Sequence, residues 1–138
     1  MKRFLTLFFA VVLIVSCFAT AVSAAKVEDP IVQPYYVGIK DVARTISISG
    51  GTASCYSSVS TRDLTYKISY TMYLQRLDST WTNVASWPVS GTYRVSKDGS
   101  ASVDSGKYYR TKIVGNIYDS NWNLIESFDE ESNIVKCS

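Results

Sequence analysis

Leu64-Thr65-Tyr66-Lys67-Ile68-Ser69-Tyr70-Thr71-Met72-Tyr73-Leu74-Gln75 decides the fold. Leu64, Tyr66, Ile68, Tyr70, Met72 and Leu74 share one parity, while Thr65, Lys67, Ser69, Thr71 and Gln75 hold the other. Successive side chains of a strand point to opposite faces, so this spacing predicts a long strand with one buried and one wet face. A helix would place its apolar residues three and four apart, and beyond residue 34 that spacing never persists for three turns.

The same alternation extends in both directions. Upstream, Val42, Ile46 and Ile48 alternate with polar residues before Gly50-Gly51 turns the chain. Ala53, Cys55, Ser57 and Val59 then give a second strand, with Cys55 on its inward face. Downstream, Asp78-Ser79-Thr80 reads as a turn into a fourth strand, Trp81 to Trp87. Pro88 predicts that this strand ends there or lies at a sheet edge. Val89, Gly91, Tyr93 and Val95 suggest a fifth, closed by the turn signal Lys97-Asp98-Gly99-Ser100. A sixth carries Tyr109, Ile113 and Ile117 on one face, and Tyr118-Asp119-Ser120-Asn121 starts a hairpin. A seventh runs through Leu124, Glu126 and Phe128 toward Val135. A strand with one apolar face must bury it against another layer. Seven short strands with regular turn signals therefore predict an all-β fold, an antiparallel immunoglobulin-like β-sandwich.

The N-terminus has the three zones of a secretory leader. Lys2 and Arg3 open it, Phe4 to Val15 is apolar except for Thr6, and small residues follow from Ala21 to Ala25. Val22-Ser23-Ala24 places cleavage after Ala24. The expected organisation is a signal peptide over 1–24, a flexible lead with Glu28, Asp29 and two prolines over 25–34, and the sandwich over 35–138. The leader is short for a membrane span, and no stable span is expected in the mature form. Ile14-Val15-Ser16-Cys17 also resembles a lipobox, so a lipoprotein anchored through Cys17 is the alternative to a free extracellular protein.

The leader also distorts the charge. The chain has 14 basic and 12 acidic residues. Lys2 and Arg3 leave with the leader, and the mature domain is neutral. Neutrality gives no electrostatic case for nucleic acid or for an anionic membrane. Of the three cysteines, Cys17 falls in the leader. In an oxidising compartment Cys55 and Cys137 are expected to form one disulfide, closing a loop worth roughly 4.5 kcal/mol in the chain-entropy model. Two free thiols or an intermolecular bridge are the alternatives, because spacing alone does not supply the geometry.

The run Tyr70-Thr71-Met72-Tyr73-Leu74-Gln75-Arg76, then Trp81, Val84 and Trp87, then Tyr108-Tyr109-Arg110 and Gly115-Asn116-Ile117-Tyr118-Asp119-Ser120-Asn121, resembles a family of small secreted proteins of Gram-positive bacteria. The likeness covers roughly residues 35 to 128. It implies export and a single β-sandwich-like domain, and it brings no catalytic or binding residue with it. One departure stands out. The related hairpins read Asp-Ser-Asn-Gly, with glycine left-handed, whereas Trp122 stands in the glycine's place here. A left-handed tryptophan costs roughly 1–2 kcal/mol, so Asn121 is expected to take that conformation, or the turn to be of another type.

Chemistry-bearing patterns are few. The chain has no histidine, which removes the commonest general base and every Ser-His or Cys-His nucleophile pair. No metal-ligand spacing or phosphate-cradling glycine loop is present, and no cofactor is expected. Asp129-Glu130-Glu131 with Glu126 is the one acidic cluster; neighbouring acids on a strand face opposite ways, and a solvated, aggregation-resistant edge is the expectation, with weak calcium binding as the rival. Aromatic residues exceed what the inward parities need. Trp122, Tyr73, Tyr108, Trp81 and Trp87 are the candidate recognition surface, against the competing expectation that Trp81 and Trp87 fill or cap the core. The expected function is a secreted, non-catalytic module binding an unknown cell-surface protein or glycan. A structural, envelope-associated assembly protein is the alternative, and an enzyme is not expected.

Overall fold

The structure is a computed structural model that describes residues 34–138. The leader, its cleavage after Ala24, Cys17 and nearly all of the 25–34 lead lie outside the described residues. The strands are β1 (Ile39–Ser49), β2 (Thr52–Thr61), β3 (Lys67–Leu77), β4 (Trp81–Thr92), β5 (Arg94–Ser102), β6 (Tyr108–Tyr118), β7 (Leu124–Glu131) and β8 (Val135–Lys136). Every pairing is antiparallel. One sheet has the order β1-β2-β5; the other runs β4-β3-β6-β7, with β8 beside the start of β6. β7 and β8 are two lengths of one edge. Between them Ser132 donates its amide to the Thr111 carbonyl and accepts the Thr111 amide on its hydroxyl, both at 2.8 Å.

The two sheets close on each other because their inward parities are apolar. β3 contributes Ile68, Tyr70, Met72 and Leu74, and β6 contributes Tyr109, Ile113 and Ile117. Ile46, Cys55, Val59 and Val95 face them from the three-stranded sheet. Met72, Leu74, Ile113 and Ile117 are wholly buried, and each such side chain stabilises the fold by about 1.5–3 kcal/mol. Two hydrogen bonds tie the layers together inside this core. The Tyr70 and Ser57 hydroxyls are 3.0 Å apart, and Thr111 donates to the Thr45 carbonyl at 3.0 Å.

Strand order and detail both match an immunoglobulin-like sandwich. Near the start of β6, the Tyr109 hydroxyl accepts the amide of Asp104, five residues upstream, at 2.8 Å. That is the tyrosine corner of such domains. Two residues further on, where antibody domains carry their second cysteine, stands Thr111, with the Cys55 thiol against it.

The expected Cys55–Cys137 disulfide is absent: both cysteines are free and buried. Cys55 is held in mid-β2 against Thr111, while Cys137 is fixed beyond β8 by backbone hydrogen bonds to Gly106 and Lys107, its sulfur toward the Ser138 carbonyl. Each thiol thus has its own surroundings, and the fold is held by packing instead of a covalent bridge.

Three boundaries also differ from expectation. β3 begins at Lys67, because Asp63 captures the amide and hydroxyl of Thr65 in a tight turn and leaves Leu64 exposed. β4 runs on to Thr92 and takes in Val89 and Gly91, expected in the fifth strand, which begins only at Arg94; Pro88 is tolerated because β4 lies at a sheet edge, as one of its two expectations had it. Lys97-Asp98-Gly99-Ser100 is no turn but the middle of β5. Its glycine has a packing role: a Cβ at residue 99 would meet the Trp87 ring at 2.5 Å.

Candidate functional site

Register decides which outward side chains become neighbours. On the five-stranded sheet, Lys67 pairs with Tyr118, Ser69 with Asn116, Thr71 with Val114, Tyr73 with Lys112, Gln75 with Arg110 and Leu77 with Tyr108. These are the wet parities of β3 and β6. β4 adds Ser90, Pro88 and Ser86 to the same rows, and β7 adds Ser127, Asp129 and Glu131. The result is one broad outer face with aromatic groups at both ends and small polar residues between them.

At one end the hairpin after β6 is built by Asp119. Its carboxylate accepts the amides of Asn121 and Asn123 and the Asn123 side-chain amide, at 2.8–2.9 Å. These bonds, the Asn123 side chain foremost, hold the Asp119 carboxyl below the usual carboxylate range, with Lys67 adding to the effect. The Trp122 amide closes the turn on the Asp119 carbonyl, and Asp119 donates to the Asn123 carbonyl. This geometry needs a left-handed residue at position 122, and Trp122 itself takes it, with φ 67°. Asn121 does not, contrary to expectation. The strain is offset by contacts: the Trp122 ring is 5.5 Å from Tyr118, and the Lys67 ammonium lies 4.2 Å over it. Trp122 is nevertheless 61 % exposed.

At the other end Arg110 lies 4.2 Å over the half-buried Trp81 ring, and Lys136 is 5.7 Å from the exposed Tyr108. Tyr73 stands between the two ends. Four of the five candidate aromatics, Trp122, Tyr73, Tyr108 and Trp81, therefore share this face. Trp87 does not: it pairs with the inward Met72 and covers Gly99, so it caps the core and leaves the recognition set.

Between the aromatic ends is a shallow depression of about 530 Å³, lined by Ser69, Thr71, Val114, Asn116, Ser127 and Asp129. Ser127 donates to the Asn116 side-chain carbonyl at 2.7 Å, and the Asn116 amide donates to the Tyr118 hydroxyl at 3.1 Å. The charges at its margin are matched. Lys112 binds Asp129 at 2.9 Å and Glu131 at 3.5 Å, and Arg110 binds Glu131 at 2.7 Å. Lys67, Asn116, Tyr118 and Ser127 were not among the expected site residues. The wet parity of β3 points to Lys67, but nothing local in the sequence aligns it with Tyr118.

The acidic cluster divides between two faces as strand geometry requires, but it is not merely a solvated edge. Asp129 and Glu131 belong to the outer ion pairs just described. Glu126 and Glu130 turn inward and fasten β7 to the start of β1. Glu126 accepts the amides of Val37, Gly38 and Ile39 at 3.0, 2.8 and 2.6 Å. Glu130 binds Arg44 at 2.7 Å and accepts the Tyr36 hydroxyl. Burial first, then that bond, holds the Tyr36 hydroxyl protonated far above the ordinary phenol range. Among the described residues no three His, Cys, Asp or Glu side chains gather as a metal site, and no helix is long and apolar enough to cross a membrane.

Compared with models of known protein families and with curated proteins, the chain matches none.

Proposed function

We propose that the mature domain is an exported, non-catalytic module that binds a cell-surface protein or glycan through the outer face of its five-stranded sheet. The observation that carries this reading is the gathering of Trp122, Tyr118, Tyr73, Tyr108 and Trp81 on that one face, with a polar depression between them. Left-handed backbone at a bulky residue is a cost that structures retain where it serves a purpose, and Trp122 carries that cost while displaying its ring. Export is argued from the leader sequence; acylation at Cys17 would anchor the domain to a membrane. A binding role is favoured over catalysis because the carboxylates of the acidic cluster are all engaged by cations or backbone amides. Assembly through strand edges is disfavoured. β4 carries Pro88 and a register bulge opposite Leu74 and Gln75, and both devices discourage edge pairing.

The test is retention of the labelled mature protein by the producing cells. Tyr73→Ala and Trp122→Ala are expected to lower retention several-fold. Tyr56→Ala, on the outer face of the other sheet, is expected to leave it unchanged. Equal retention of all three variants would overturn the proposal.

A further inference from the structure

The depression on the five-stranded sheet is the middle of a groove that crosses the strands. Its walls are two rows of large side chains, Tyr73 with Lys112 on one side and Lys67 with Tyr118 on the other. Lys67 and Tyr73 are six positions apart, so the rows stand roughly 20 Å apart along β3. The floor between them holds only Ser69, Thr71, Val114, Asn116 and their small neighbours on β4 and β7. Ser90 and Pro88 at one margin and Ser127 at the other leave both ends open.

Three features define what such a groove can hold. Its polar groups are neutral and already oriented. With Asn116 fixed between Ser127 and Tyr118, one Asn116 N–H, the Tyr118 O–H and the Ser127 lone pairs remain for a ligand. Its flanking charges balance as Lys112 and Arg110 against Asp129 and Glu131, while Lys67 in the other wall lies over Trp122 beside the Asp119 carboxylate, so the floor carries no unmatched charge of its own. Its apolar surface is the exposed Val114 and the rings of the walls. A peptide would seek a free strand edge or deep apolar pockets. The floor strands β3 and β6 are paired on both sides, and a protein interface core is depleted in serine. Sugar rings, with apolar faces and hydroxyl rims, match a floor of hydroxyls and an amide between aromatic walls. The roughly 20 Å between the two rows suits a chain over a single residue.

We propose that this groove binds a neutral oligosaccharide, running over the floor from Tyr73 to Tyr118 with ring faces against those two tyrosines and hydroxyls on Thr71, Asn116 and Ser127. This rests on the reading of the outer face as the binding surface and supplies its ligand class.

The experiment titrates the mature protein with neutral hexasaccharides of glucose, xylose, mannose and N-acetylglucosamine, with hexagalacturonate as the charged comparison, followed by amide resonances. One neutral hexasaccharide is expected to shift the groove residues, with an affinity indifferent to salt. Asn116→Ala and Tyr73→Ala are each expected to weaken it about tenfold, the loss of one hydrogen bond or stacking contact. Thr71→Arg, which fills the groove, abolishes binding, and Tyr56→Ala, on the outer face of the other sheet, leaves it intact. Absence of binding by every neutral hexasaccharide, or binding that survives Thr71→Arg, overturns the oligosaccharide. Salt-sensitive binding of hexagalacturonate alone overturns it too. Cross-linking to surface proteins of the producing cells then separates the two readings. A protein captured by the wild type and lost with Thr71→Arg, without any glycan bound, keeps the binding face and removes the sugar. Capture and retention that ignore Thr71→Arg, Tyr73→Ala and Asn116→Ala alike remove both.

Discussion

Tyr70 of β3 and Ser57 of β2 meet hydroxyl to hydroxyl at 3.0 Å in the interior of the sandwich, one from each sheet. Between apolar layers that can slide, this bond fixes one sheet's position relative to the other. Removing the tyrosine hydroxyl leaves Ser57, which is wholly buried, without that partner. Tyr70→Phe is expected to cost about 1–3 kcal/mol in urea unfolding at unchanged slope. Adding Ser57→Ala should recover part of that loss, so the double variant should be more stable than the two single losses together imply.

Gly115 lies on β6 between Tyr70 and Phe128, whose rings pack edge to face at 6.0 Å. A Cβ there would meet the Tyr70 Cβ at 2.3 Å and the Ser69 carbonyl oxygen at 2.5 Å. Backbone cannot yield as a side-chain tip can. Gly115→Ala is expected to destabilise by about 3 kcal/mol, at the top of the overpacking range, and to disperse the ring resonances of Tyr70 and Phe128. A neutral result would show the inner row to be looser than drawn.

Trp122 separates strain from contact. Its left-handed backbone costs roughly 1–2 kcal/mol. The Lys67 contact offsets about 0.5–1 kcal/mol of that, and the Tyr118 contact about 0.5–1.5 kcal/mol. Trp122→Ala keeps the strain and loses the contacts, so it is expected to be clearly destabilised. Trp122→Gly loses both and should remain near wild type. If Ala and Gly prove equal by thermal unfolding, the turn has another geometry in solution.

Asp119 gives the fold an acid limb. Its hydrogen bonds lower its pKa in the folded state, so the unfolded chain binds more protons as pH falls. The contribution is present above the unfolded value of about 3.9 and is lost as pH drops through the lower folded value. Asp119→Asn should therefore flatten the stability profile below that point and leave its shape at neutral pH unchanged.

Cys55 and Cys137 are 3 % and 2 % exposed, and burial pushes the Cys55 thiol up, away from its reactive thiolate. Alkylation of the native protein at mildly alkaline pH is expected to leave both unlabelled, while unfolding exposes both. Peptide mapping that finds either one labelled in the native state would show the core opening faster than its packing suggests.

Much of the architecture is legible in the pattern of residues. The alternation in β3 and β6 names the buried side chains, because a two-sided strand records in its parity which side is wet. Parity does not record which strand lies beside which, so Lys67 meeting Tyr118 and Leu77 meeting Tyr108 emerge only with the register. Small residues mislead for a different reason. Gly99, between Asp98 and Ser100, has the composition of a turn, but its smallness accommodates a tryptophan from the other sheet. Asp63 stops β3 three residues short of where hydrophobicity alone would start it. For Cys55 and Cys137, their number and the compartment expected from the leader favour a bridge, and only their separate surroundings show that they stand apart.

The two long margins of the sandwich are joined unequally. Along one, the polypeptide passes from β4 into β5 at Tyr93 and serves as a spine. Along the other, no backbone ladder joins β1 to β7; the Glu126 and Glu130 carboxylates act as a clasp on Val37 to Ile39 and Arg44. A book so bound opens at the clasp. Tension applied through the chain ahead of Tyr35 is delivered to that margin first, so a tether placed there would loosen the sandwich where one placed at a turn would not.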